Sequence, residues 1–146
     1  MNLLLPPSLE HLQRHSVPQA ERKLAERFCL NWDSQMQDWD ITNANAELLP
    51  VFLGALEDTA LTDDELYSLM ALTIASADEA LQLSMDSQSS LASLATFLRQ
   101  RPSLYASTIK YWAEPALRKL DKEEQFSISE FMANVWNQIL PELKSN

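Results

Sequence analysis

A chain of 146 residues with a single glycine, Gly54, has few folds open to it. Hairpin turns, bulges and phosphate-cradling loops use backbone conformations that glycine alone adopts without steric cost, so sheet-rich folds draw on it freely. Ala, Leu, Gln and Glu are plentiful here and β-branched residues sparse, which favours helix by propensity as well. The expected fold is therefore all-α, a single-domain helical bundle of about five to seven helices. At 46% hydrophobic and 22% charged residues the chain can bury a core without staples. An N-terminal arm over residues 1–17 and one helical domain over 18–146 are expected.

Helix signals place the elements. In the arm, Pro6, Pro7 and Ser8 start one or two turns, with Leu9 and Leu12 inward. Pro18 suits a first helical position, and Ala25, Phe28, Cys29, Trp32, Met36 and Trp39 then share one apolar face, predicting a helix to about Trp39 with Cys29 buried on that face. Its charges run against the helix dipole, with Arg22, Lys23 and Arg27 early and Asp33, Asp38 and Asp40 late. The alternative is a helix ending near Asn31, which leaves these acids in a loop.

Asp40 to Asn45 reads as a loop, and Pro50 as the first turn of a short helix to about Glu57. In that helix Val51 and Leu56 would pack and Gly54 would allow close helix approach. Thr62-Asp63-Asp64-Glu65 is a capping box. It opens a helix near 62–85 whose twelve residues Leu66 to Ala77 carry no charge and are apolar nearly all round, the pattern of a central helix. A fourth helix follows from Gln88 to Arg101, and a fifth after Pro102 with Tyr105, Ile109 and Trp112 on one face. Glu114-Pro115 predicts a break and then a short basic helix, Ala116 to Lys122. Ser127 to Glu130 is a second capping-box sequence. Its helix presents Ile128, Phe131, Met132, Val135, Trp136, Ile139 and Leu140 on one face and finishes at Pro141.

Charge is strongly segregated. The net charge is −10, and Phe28 to Leu98 holds 12 Asp or Glu and no Lys or Arg. Acids without interspersed bases cannot form local i, i+4 pairs, and they repel one another. Residues 99–122 lean the other way, with six Lys or Arg against two acids beside Tyr105, Tyr111 and Trp112. A basic strip with aromatics is one way to track a phosphate backbone, but a domain at net −10 repels polyanions, so no direct nucleic-acid partner is expected. The strip serves instead to meet acidic surface, within the chain or on a second copy, which makes a homo-oligomer one expectation.

Catalytic constellations are missing from the sequence. Only His11 and His15 could act as imidazole bases or zinc ligands, and neither Cys nor a carboxylate completes a set beside them. Asp121 and Glu124 are the one acidic pair at helical spacing suited to a metal between helices, and Glu-x-x-His is absent. No cofactor or metal is expected. One cysteine, an N-terminus without a basic region and no membrane-length apolar run predict a cytoplasmic protein with no membrane association.

The function expected from these features is a noncatalytic protein-binding module of the inhibitor, immunity, adaptor or chaperone kind, presenting an acidic surface to a basic partner. Capping explains Asp63 to Glu65, so the surface reduces to Asp33, Asp38, Asp40, Glu57 and Asp58, with Trp39 as an aromatic anchor if it is exposed. Alternatives are a small helical metal-dependent hydrolase and a structural subunit of a helical assembly.

Overall fold

The computed structural model describes residues 5–145, and among these it is all helical, with six α-helices of seven residues or more. The helices are α1 (Pro18–Phe28), the single-turn α2 (Trp39–Thr42), α3 (Leu49–Ala55), α4 (Asp63–Gln82), α5 (Gln88–Gln100), α6 (Pro102–Leu117) and α7 (Ser129–Lys144). Short 3-10 segments lie at Pro7–Leu12, Ala46–Leu48 and Lys122–Glu124. No described helix is long and apolar enough to cross a membrane. The chain divides into two compact units. One is His15–Leu91. The other joins the residues through Arg14 to those from Ala92 onward.

In the His15–Leu91 unit, α4 is the central helix that its uncharged stretch predicts. Leu66 through Asp78 are all buried, and α1, α2, α3 and the Ala46–Leu48 segment pack against it. Its capping box forms in full. The Glu65 amide donates to Thr62 Oγ1 at 3.1 Å, and the Thr62 amide donates back to Glu65 Oε1 at 2.9 Å. Such a cap contributes about 1 kcal/mol. Polar side chains on so buried a helix need partners. Thr73 Oγ1 donates to the Leu69 carbonyl at 2.7 Å, and Ser68 Oγ lies 2.7 Å from Ser16 Oγ. Ser76 Oγ accepts from the Asn45 amide at 3.0 Å, and Glu79 Oε2 from the Ala46 amide at 2.6 Å. The central helix thereby organises the loop that leads into α3.

Helix α1 stops at Phe28, eleven residues short of Trp39, as in the shorter of the two readings. Cys29 takes the left-handed conformation, and the Leu30 amide returns to the Ala25 carbonyl at 2.9 Å, closing the end. Cys29 is consequently exposed and not buried. The same closure recurs with Ser84 after α4 and Lys119 after α6, where Met85 returns to Ala80 and Leu120 to Pro115. Glycine is the usual residue at such positions. This chain places non-glycine residues at all three.

Its one glycine sits elsewhere. Gly54 lies exposed within α3, and a methyl group added there would meet nothing within 4 Å, so it mediates no close helix approach. Val51, on the same helix, is 50% exposed and not packed. Gly54→Ala is expected to stabilise the protein by about 0.4–1 kcal/mol, because alanine restricts the unfolded chain and favours helix. Chemical denaturation checks this, and a loss of stability would mean that α3 has a neighbour at that face.

In the other unit, α6 and α7 form the dominant packed pair, and the Pro7–Leu12 segment contacts both. The Arg14 amide donates to Ser107 Oγ at 2.7 Å, and that hydroxyl donates on to the Leu12 carbonyl at 3.3 Å. On α7, Ile128, Met132, Val135, Trp136 and Ile139 are buried, while Phe131 and Leu140 are half-buried. Two proline breaks do not occur. Helix α6 continues through Pro115 to Leu117, and α7 through Pro141 to Lys144. Each proline lies in a last turn, where its missing N–H costs one intrahelical bond and the helix ends soon afterwards. A separate Ala116–Lys122 helix is therefore absent. The second capping box also fails to form: the cap of α7 is Ile128, and Ser129 Oγ instead accepts from the Phe126 amide at 3.1 Å.

Candidate binding surface

Charge segregation follows the division of the fold. The His15–Leu91 unit holds fourteen acids and three bases, a net of −11, while the other unit holds seven acids and eight bases, a net of +1. All three bases of the acidic unit lie on α1; two are paired with acids and the third, Lys23, lies in the field of one. Arg27 Nη1 meets Asp58 Oδ2 at 2.9 Å, and its guanidinium lies over the Phe28 ring. Arg22 Nε is 3.6 Å from Glu26 Oε1 and its guanidinium lies 5.4 Å from the centre of Trp32. Lys23 lies close enough to Glu65 to favour its ionised form.

These pairings sort the expected surface residues. Asp58 is neutralised: the Ala60 amide and then Arg27 hold its carboxyl below the usual range. Glu57 is exposed at the end of α3. Asp33 is exposed in the loop after α1 and accepts from the Gln35 amide at 2.8 Å. Asp38 is exposed and left-handed, at φ 51°, just before α2. Trp39 fails the condition for an anchor, because it is 1% exposed. Its indole N–H donates to the Asn31 carbonyl at 3.0 Å, an oxygen that also accepts from Asn43 Nδ2 at 3.0 Å. Asn43 Oδ1 takes the Asn31 amide at 3.0 Å, completing a knot that pins the acidic loop. The apolar group exposed beside these acids is Ile41, at 43%.

Asp40 is the one acid of the set whose carboxyl is pushed upward. Burial is the main cause, partly offset by the amides of Ile41 and of Asp40 itself, and reinforced by the charges of Asp38 and Glu21. No base contributes. Glu21 is the member of this cluster that helical patterning on α1 leaves anonymous, and nothing in the sequence brings it to Asp40. Its carboxylate also accepts from Ser16 Oγ at 2.7 Å.

The sign of the resulting pH effect follows. Because the folded-state pKa is raised, the unfolded chain releases this proton first, and stability falls as pH climbs from the ordinary value of 3.8 through the folded value. Asp40→Asn is expected to be more stable than the parent at pH 7 and equal to it well below 3.8. Urea titrations at the two pH values test this. A variant equally or less stable at pH 7 would contradict the placement of Asp40.

A groove of about 530 Å³ opens between α1 and the first turn of α4. It is lined by Val17, Gln19, Ala20, Arg22, Lys23, Glu26, Thr62, Asp64 and Glu65. The sequence pattern gives no hint of it, since α1 and α4 are brought together only by tertiary packing.

Among the described residues, no three His, Cys, Asp or Glu side chains are placed to hold a metal ion. His11 and His15 are both exposed, as are Asp121 and Glu124. No protein-family model matches the chain, and neither does any curated protein or solved structure.

Proposed function

We propose that this chain is a noncatalytic protein-binding module whose His15–Leu91 unit offers an acidic surface to a basic protein partner. The observation that carries this reading is the unit's net charge of −11, with Arg22 and Arg27 already paired to acids and only Lys23 left without a direct ion pair among the described residues. Exposed carboxylates such as Asp33, Asp38, Glu47, Glu57 and Asp86 add jointly to the field that draws a cationic partner in. A field of one sign raises association rates with an oppositely charged partner and suppresses wrong ones.

The chain's own basic strip is a weaker complement. Lys110 is engaged by Glu114, and Arg118, Lys119 and Lys122 are interleaved with Asp121, Glu123 and Glu124. A foreign partner is therefore preferred over a second copy, and light scattering at low salt separates the two. The direct test is affinity capture from the host at about 50 mM salt followed by elution at about 500 mM, over which the Debye length shrinks severalfold. Basic proteins should elute, and the triple variant D33N/D38N/E57Q should capture less of them. Capture indifferent to salt and to that variant would overturn the reading.

A further inference from the structure

We infer that the groove between α1 and the first turn of α4 receives a lysine or arginine side chain of the basic partner, with Lys23 as a built-in competitor for the same carboxylates. This rests on the acidic-surface reading above and adds a location to it. The volume, about 530 Å³, lies within the range of ligand-binding clefts. Val17 and the buried Ala20 give it apolar surface, and Glu26, Asp64 and Glu65 bring carboxylates to its rim. A long basic side chain has this amphipathic form, with an aliphatic stem that packs on apolar atoms and a charged head that stays with the acids.

Charge favours a cation as the occupant, since the lining holds three carboxylates against two bases. An anionic ligand would have to enter a unit at net −11, whereas a cation is drawn in by it. The two bases in the lining are not equivalent. Arg22 is held by Glu26 and by the Trp32 ring. Lys23 is exposed and makes no direct ion pair among the described residues, yet it lies in the field of Glu65. An incoming ammonium must push Lys23 aside, so Lys23 lowers the affinity for the very ligand its surroundings attract.

The opposite signs of neighbouring substitutions test the idea on the full chain. The probe is a fluorescein-labelled peptide of alternating lysine and alanine, followed by anisotropy at low salt, with helical content checked by circular dichroism. Lys23→Gln should tighten binding and Glu26→Gln or Asp64→Asn weaken it, each by about two- to fivefold. Gln19→Trp, which fills the groove without changing charge, should weaken binding by about fivefold or more. Glu47→Gln and Asp86→Asn, outside the groove, should change it less than about twofold. If all acid removals weaken binding equally and Gln19→Trp has no effect, the groove is not the site while the acidic-surface reading stands. If the peptide does not bind even at low salt, both fail.

Discussion

Replacing Trp39 by alanine is expected to destabilise the protein by about 3–5 kcal/mol, the range for truncating a fully buried indole. The ring is 1% exposed, on a single-turn helix that packs against α4. Trp39→Phe should cost much less, because the Asn31 carbonyl keeps its second donor, Asn43 Nδ2. The pair of variants separates two roles for this tryptophan. A binding anchor would leave the denaturation midpoint near the parent's and weaken association. A core residue lowers the midpoint and affects association only through the folded fraction. A loss under about 1 kcal/mol for the alanine variant would remove Trp39 from the core.

Ile74→Ala is the second large effect, at about 2–5 kcal/mol. Ile74 is fully buried near the middle of α4, and its neighbours from Leu72 to Ala77 are buried as well. With no solvent-facing side chain beside it, the site has little freedom to collapse onto the cavity. The better helix propensity of alanine returns only a few tenths of a kcal/mol. Small domains are stable by about 5–15 kcal/mol in total, so this change or Trp39→Ala removes a large share. Urea unfolding with an unchanged slope and a shifted midpoint is the expected signature. A midpoint close to the parent's would mean that α4 is not the centre of its unit.

Features written in short stretches of sequence were legible. The Thr62 to Glu65 box, the uncharged Leu66 to Ala77 stretch and the α7 face each depend on residues within a few turns of one another, and all three were found as expected except for the cap of α7. Helix ends were not legible in the same way. Cys29 takes a left-handed conformation that its residue type does not announce, so the sequence leaves α1 open to an end near Trp39 as well as to the shorter end near Asn31. Pro115 misled for a related reason: a proline forbids the interior of a helix more strongly than its last turn.

The surface was partly legible. That the acids lacked bases was evident from composition along the chain. Which of them are neutralised was not, because Arg27 reaches Asp58 across 31 residues and Glu21 joins Asp40 only through packing. The six residues singled out therefore separate into a paired one, Asp58, a buried one, Trp39, the half-buried Asp40, and three exposed acids, Asp33, Asp38 and Glu57.

The bond between the N-terminal segment and α6 has a consequence for the order of assembly. Arg14 and Leu12 reach Ser107 across 93 and 95 residues, whereas α6 and α7 are joined by a connection of only eleven, residues 118–128. Closing a short loop costs little chain entropy, and contacts distant in sequence form slowly. The helical pair should thus condense early, with the Pro7–Leu12 segment docking after it. During synthesis the Pro7–Leu12 segment emerges before its packing partners and has to wait until α6 and α7 have been made.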